Sequence, residues 1–582
     1  MKLVSSALFS LFLASSAFAG TRYVNVALTT GANDGSTWAN AYQGTLGLQS
    51  ALGSAVAGDA LWVAQGTYKP APNGSPSVSF VLKSGVEIYG GFAGTETQLD
   101  QRDPAAHVTI LTGDLANNDN LHVYIDNTWH VVDGGTADSS ALLDGFTIQG
   151  GSAGGTEGGG MLCLNGCTPG IRNCVFRGNR ALNGAAVYID SASPRFHYTR
   201  FEDNHAGGLG GAFRARLSSL LNFTGCTFAG NLAGSGGAGS TDSVLSLNLT
   251  NCVIRDNTVD GSFSGLGGAA LLLQATAASI DGCTITGNHS LGGECAGVRV
   301  LIGNVVLTNS IVYFNVGQQG GSGTLDNVMG VTTSWCCIQG GHSGSGILTA
   351  DPLFVDRAAG DVHLLASSPC CDAGNNSLVP GTSNFDLDGN PRLFNNHYAP
   401  DSGVGSFAIV DMGAYETTDP LYLPFCAGDG SLATACPCGN FGVAGRGCRN
   451  SDLFSVGALL AATGSVAADT VVLEGSDLLP SVTCVFLQGS QSLASGAVFG
   501  DGVRCVAGSL KRLYVKQASA GAVSAPGAAD PSIRVRSAAL GDTIAQGTLR
   551  EYQVYYRDPD LNFCSAPAGN SWNVTSGVII AW

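Results

Sequence analysis

Six asparagines recur through the middle of this 582-residue chain, each three positions after an aromatic or β-branched residue. They run Phe176 to Asn179, Phe201 to Asn204, Phe228 to Asn231, Ile254 to Asn257, Ile285 to Asn288 and Val312 to Asn315. Twenty residues before each Asn stands the second position of a Gly-Gly-Ala motif or a variant of it, at Gly159, Gly184, Gly211, Gly237, Gly268 and Cys295. The gap from each Asn to the next such position runs 5, 7, 6, 11 and 7. A fixed segment followed by a variable one is what a solenoid coil produces. The fixed part stacks on its neighbours, and the variable part is a corner loop free to bulge into solvent.

The fixed part alternates. Three places before each Asn are Phe176, Phe201, Phe228, Ile254, Ile285 and Val312, and five places before are Cys174, Thr199, Cys226, Cys252, Cys283 and Ser310. The intervening positions include Arg177, Arg200, Glu202 and Arg255. Period-two alternation predicts a strand whose apolar and thiol columns face inward while the charged positions face out. Like then stacks on like, roughly 4.8 Å apart. Asn tolerates the left-handed conformation of a sharp corner, and its amide can bond the Asn of the next coil. The six asparagines are therefore predicted to form a structural ladder.

The paired motif resembles the repeats of the chlamydial polymorphic outer-membrane protein passengers, over roughly Gly145 to Gly340. That resemblance implies an all-β fold, a right-handed parallel β-helix of the pectin-lyase-like kind. Before the repeats, residues 20–144 read as an N-terminal cap and first coils, with an amphipathic helix over Leu46 to Val56 covering the open end. Residues 145–340 are the regular coils. Residues 341–416 contain Asp351-Pro352-Leu353-Phe354, Ser368-Pro369-Cys370, Asp386-Leu387-Asp388-Gly389-Asn390-Pro391-Arg392 and Asp411-Met412-Gly413-Ala414-Tyr415-Glu416. These blocks are similar to the closing coils of β-helix proteins that carry surface-sorting tails, which implies an exported or surface-attached protein. Residues 417–425 read as a linker. Residues 426–582 form a separate Cys-containing module, with strand-like runs suggesting a small β-sandwich. The run at Ile533 to Arg536 is counted among those strands. Through Cys426-Ala427-Gly428-Asp429-Gly430-Ser431, Val498-Phe499-Gly500-Asp501-Gly502-Val503-Arg504-Cys505 and Tyr555-Tyr556-Arg557-Asp558-Pro559, the module resembles a C-terminal domain shared by large exported proteins of certain environmental bacteria.

Lys2, the apolar run Leu3 to Leu13 and Ala17-Phe18-Ala19 before Gly20 read as a secretory signal peptide over residues 1–19, cleaved near Ala19. The product is expected to be secreted or held at the cell surface, as a monomer. Net charge is −17. Beyond residue 19, Lys69, Lys83, Lys511 and Lys516 are the only lysines. A nucleic-acid or anionic-membrane partner would need a basic face, so neither is expected. No segment is long and apolar enough to span a bilayer as a helix.

The chain has 18 cysteines. Cys426, Cys436, Cys438 and Cys448 lack the two-residue gaps of common zinc sites, and disulfides are favoured over zinc for them. Cys505 with Cys564 is a further expected pair, leaving Cys484 over. The column of Cys226, Cys252 and Cys283 is expected to stay as buried thiols, because in-register side chains fit disulfide torsions badly.

Chemistry is harder to place. Arg177, Arg200, Glu202 and Arg255 share the outward columns and form a candidate glycan-binding group, with a self-paired, solvated face as the plainer account. Asp386, Asp388 and Asn390 resemble a short calcium loop without its terminal Glu, so Ca2+ is the one cofactor considered. Gly341-His342-Ser343 is read as loop. Arg214 and Arg216 would face inward if the motif spacing held, at high cost. A one-residue slip that puts Phe213, Ala215 and Leu217 inside is expected instead. The expected function is a structural, adhesive or glycan-binding scaffold whose partner is a polysaccharide or cell-surface glycan. The alternative is a polysaccharide lyase or glycoside hydrolase acting on an acidic polysaccharide. A lyase would need a basic residue near calcium-binding carboxylates, and a hydrolase a spaced carboxylate set.

Overall fold

The computed structural model describes residues 20–582 apart from 219, 263–265, 293–294, 318–326, 382, 395–399, 406–407, 418–421, 465, 467–468, 546, 561 and 565–570. The expected signal peptide and residues 418–421 of the expected linker lie outside the described residues. The chain divides into two compact units, Met1–Thr418 and Asp419–Trp582.

The first unit is a parallel β-solenoid. One wall is a 10-stranded sheet running Gly66–Tyr68, Thr109–Thr112, Phe146–Gln149, Val175–Arg177, Arg200–Glu202, Thr227–Ala229, Val253–Arg255, Thr284–Thr286, Ile311–Tyr313 and Cys337–Ile338. Every neighbouring pair in it is parallel. Two further columns of parallel strands complete each coil, and they fuse into continuous strands at Leu271–Asp281 and Val298–Thr308. A short 5-stranded ladder from Arg180–Ala181 to His289–Ser290 follows the asparagine corner. The helix Gly47–Ser54 buries Leu48, Ala51 and Leu52 in the solenoid core beside Val24, Val63 and Phe80.

Inside, Phe176, Phe201 and Phe228 stack with ring centroids 5.4 and 4.8 Å apart. Phe196 and Phe223 form a parallel stack at 4.9 Å. Both sets are fully buried, and burial of each ring is worth roughly 1.5–3 kcal/mol. The thiol column lies beside them. Cys226, Cys252 and Cys283 each point at the carbonyl two residues back and at one in the preceding coil.

The asparagine side chains are wholly buried and bonded in file. Nδ2 of Asn179, Asn204, Asn231, Asn257 and Asn288 donates to Oδ1 of the next, at 2.8–3.0 Å. Asn315 donates in turn to Asn327 Oδ1 at 3.0 Å, a rung outside the repeat motif.

The sheet register shortens the fixed segment. Ile171, Phe196, Phe223, Leu249, Ile280 and Leu307 occupy one column, and each coil's asparagine follows eight residues later. The preceding column is Met161, Val187, Phe213, Gly239, Leu271 and Val298. It lies 10, 9, 10, 10, 9 and 9 residues earlier. The left-handed glycines are Gly158, Gly184, Gly210, Gly236 and Gly268, three residues before the first five of that column. The twenty-residue spacing counted from Gly159, Gly211 and Gly237 therefore starts one residue late. A Cβ on Gly210 would sit 2.1 Å from the Phe213 carbonyl oxygen, so glycine is required at this corner. The slip expected at Arg214 follows. Phe213 and Ala215 are fully buried, and Arg214 points the other way, donating to Ser240 Oγ at 2.8 Å. Leu217 departs from expectation. The strand ends at Arg216 and Leu217 turns out at φ 48°, 58% exposed.

Residues 341–416 do not continue the coils as expected. Among the described residues, Gly344–Ser345 and a parallel bridge from Leu348 to Cys337 stack on the preceding coil. The chain then makes an antiparallel hairpin, Phe354–Asp356 with Asp361–Leu364, and folds back along the outer face of the 10-stranded sheet. Leu364, Cys370, Cys371 and Met412 pack on Ile311, Tyr313 and Cys337, and Val362 and Ala414 on Val253. The physical reason is in the outward column itself, which changes from Arg200 and Thr227 to Val253, Thr284 and Ile311. An apolar outer face has to be covered.

The second unit is antiparallel. One sheet holds Leu423–Phe425, Gly577–Ala581, Leu549–Arg557, Thr483–Gly489, Lys511–Gln517 and Trp572–Val574, and a 3-stranded sheet holds Leu459–Thr463, Val472–Ser476 and Val523–Ala525. They share one core, which includes Leu460, Leu473, Phe486, Tyr552, Tyr556, Ile580 and Trp582. Ile533–Ala539 is a helix, not the expected strand. Ser532 caps it by accepting from Val535 N, and Ile533 and Ser537 are its buried residues.

Disulfides join Cys426 to Cys505, Cys436 to Cys448 and Cys438 to Cys564. The expected Cys505–Cys564 pair is corrected. Cys426 lies at the end of the strand Leu423–Phe425, with its Cα 5.8 Å from that of Cys505, while Cys564 meets Cys438 at 5.5 Å. Cys163 and Cys167 are also joined.

Candidate functional site

Positive charge is concentrated on a few coils of the solenoid, across the 10-stranded sheet and its neighbouring strand columns. Of the nine arginines between residues 145 and 340, seven fall between Arg172 and Arg216. The alternation that sends Ile171, Cys174 and Phe176 into the core sends Arg172, Val175 and Arg177 outward. One coil on, His197 stands in register with Arg172, Arg200 with Val175 and Glu202 with Arg177. Arg195 opens the strand that ends at His197. The result is a basic band that turns a corner of the solenoid, with Tyr198 on that corner at 42% exposure.

Arg172, Arg177, Arg195 and Arg200 are exposed. Arg200 is held by Glu202 through both Nε, at 2.7 Å, and Nη2. Arg177 reaches Gln149 Oε1 at 3.3 Å. Burial lowers the His197 pKa, and Arg172 and Arg195 lower it further. On the next corner Arg180 lies over the Tyr124 ring at 4.3 Å and meets His205 Nδ1 at 3.2 Å. The His205 pKa is lowered by burial first and by Arg180 second. Burial and the neighbouring guanidiniums both disfavour the charged imidazole here, so the arginines carry the positive charge of the band.

The sequence-derived group divides. Arg177, Arg200 and Glu202 lie together on the open part of the face. Arg255 is in the same outward column, two coils beyond Glu202, but it is tied to Asp256 at 2.7 Å and lies against Gly360 of the fold-back segment. Arg172, Arg195, Arg180 and His205 join the band without having been singled out from sequence. Their signal was the run of arginines across neighbouring coils.

Asp386, Asp388 and Asn390, the candidate calcium residues, lie in the segment that folds back over the sheet. The Asp386 carboxylate is buried and accepts from the backbone N–H of Asp388, Asn390 and Glu416 and from Asn390 Nδ2. The Asp388 carboxylate turns away to His363 Nε2 at 2.7 Å. Asp386 and Asn390 thus close a turn, while Asp388 pairs with His363.

No family model matches the chain, and no curated protein matches it. Among solved structures, the crystal structure of pectate lyase Pel9A is similar, at 12% identity and a TM-score of 0.35, covering 69% of this chain and 98% of that chain.

Proposed function

We propose that this protein is an exported β-solenoid scaffold that binds an acidic polysaccharide along the arginine band. One observation carries the reading. In a chain of net charge −17, the exposed Arg172, Arg177 and Arg195 stand on adjacent coils, and no ion pair holds any of them among the described residues. A parallel sheet sets the spacing of their backbone positions, so the three guanidiniums are presented together along the band. Guanidinium forks suit carboxylate and sulfate groups. Glu202 tempers the band by occupying Arg200. Disulfides in both units fit folding in an oxidising compartment.

The test is binding of the mature chain to immobilised polygalacturonate, with neutral dextran as the control. Salt-sensitive retention that is lost in the triple variant Arg172→Ala/Arg177→Ala/Arg195→Ala supports the reading. Equal retention of variant and parent sinks it. The same incubation, followed for unsaturated-product absorbance, tests a lyase. Product formation would replace the scaffold reading with the enzyme one.

A further inference from the structure

We propose a divalent-cation site, of the size of calcium, in the loop between Asp114 and Asn127. This rests on geometry independent of the arginine band. The loop leaves the strand Thr109–Thr112 and is closed at its base by Thr128 N donating to Gly113 O at 2.9 Å. Its residues include Asp114, Asn118, Asp119, Asp126 and Asn127.

The decisive group is Asn127, which is 1% exposed. Its Nδ2 donates to Asp119 Oδ1 at 2.9 Å and to Gly150 O at 2.7 Å. Those two bonds fix the amide, and its Oδ1 is left buried with no donor. Asp126, the preceding residue, has both carboxylate oxygens buried and without a donor, and Asn118 Oδ1 is in the same condition. Four oxygens within one short loop thus lack the hydrogen-bond donors that burial demands.

Asp119 sits among them. Its Oδ1 accepts the Asn127 amide bond. Asp114 holds the loop by accepting from Asn118 N at 3.0 Å and Asp119 N at 3.3 Å. Among the described residues no three His, Cys, Asp or Glu side chains form a metal-binding group. The site proposed is mixed: the Asp126 and Asp119 carboxylates with the Asn118 and Asn127 amide oxygens. An all-oxygen set with neutral members is hard-cation chemistry, and its irregular loop suits calcium better than magnesium, which demands a near-ideal octahedron. The cation would tie a long excursion to the first regular coils through Gly150.

The experiment uses the mature chain stripped with EDTA and titrated with CaCl2, with MgCl2 in parallel, reading melting temperature. Terbium emission sensitised by Tyr124 is the second readout. The expected result is a calcium-dependent rise in melting temperature with a midpoint on the order of 0.1–1 mM, together with terbium emission that calcium displaces. Asp126→Asn should lose both signals and Asp388→Asn should keep both. If Asp126→Asn does not fold, Asn118→Ala should weaken the calcium midpoint by about ten-fold. The proposal is overturned if the parent shows neither signal, if magnesium acts as well as calcium, or if Asp388→Asn abolishes the response while Asp126→Asn and Asn118→Ala leave it intact.

Discussion

Arg392 donates to Glu416 at 2.6 Å with both side chains 1% exposed, in the segment that folds back over the solenoid's outer face. Arg392 also donates to the carbonyls of Asp411 and Gly413. Burial pushes the Glu416 pKa up, and Arg392 is what opposes that. Arg392→Met should therefore strand a carboxylate and destabilise the segment by about 3–5 kcal/mol. The measurement is limited proteolysis, with new cleavage expected between residues 351 and 417. Adding Glu416→Leu should restore resistance, because replacing both partners removes the buried charge.

Removing one rung of the asparagine ladder tests a different contact. Asn231 Oδ1 accepts from Asn204 N at 3.1 Å and from Asn204 Nδ2 at 2.9 Å. Asn231→Ala leaves Asn204 N buried without that acceptor, while Asn204 Nδ2 keeps the Phe176 and Glu202 carbonyls. At ~1–3 kcal/mol for an unsatisfied group, the thermal transition should fall by several degrees. Asn231→Asp keeps the acceptor but sets a buried carboxylate oxygen against the Phe201 and Ala229 carbonyls and Asn257 Oδ1, so it should cost more. Equal losses in the two variants would mean that the amide bonds are not what holds the corner.

Glu202 occupies Arg200 at the centre of the arginine band. Glu202→Gln should release that guanidinium and raise affinity for polygalacturonate by about three- to ten-fold at low salt, with the gain fading as salt rises. A titration at two ionic strengths reads it. Lower affinity in Glu202→Gln would show that the pair positions Arg200 for binding.

His363 lies between Asp361 Oδ1, at 2.5 Å, and Asp388 Oδ2, at 2.7 Å, with its ring over Tyr415. Burial alone would lower its pKa. The bonds to the two carboxylates outweigh burial and hold it above the ordinary 6.5. The stabilisation is therefore complete below pH 6.5 and is lost as pH rises through the raised value. Melting curves of the parent and His363→Gln should converge on the alkaline side and separate on the acid side. A constant difference across that range would exclude this pair as the source.

Burial holds the Cys174 and Cys336 thiols at about 12. Thiolate is the reactive form, so Ellman's reagent should find the solenoid's interior column silent at neutral pH in the native protein and should titrate it after denaturation. Rapid native labelling of that column would mean that the coils open.

The solenoid was legible in sequence because its signal is periodic. Inward Phe201 and Phe228, the Cys226 to Cys283 column and the asparagine file all follow from one alternation. The spacing hid a detail. Glycine pairs such as Gly210-Gly211 offer two candidates for one left-handed corner, and only the strand register chooses between them. The fold-back over Val253 and Ile311 was not legible for another reason. Apolar residues at outward positions announce a cover without naming it, and Asp351 to Glu416 looked like more coils. The Asp114–Asn127 loop carries no periodic signal at all, and Asn127 gains meaning only once its amide is seen clamped between Asp119 and Gly150.

The coil register has an evolutionary consequence. Eight residues separate Ile171 from Asn179, and the same number recurs in each following coil through Leu307 to Asn315. Length changes there are forbidden, while the other two corners differ from coil to coil. Such a body can lengthen by duplicating whole turns and can diversify at two edges, while the third edge stays unchanged as the seam.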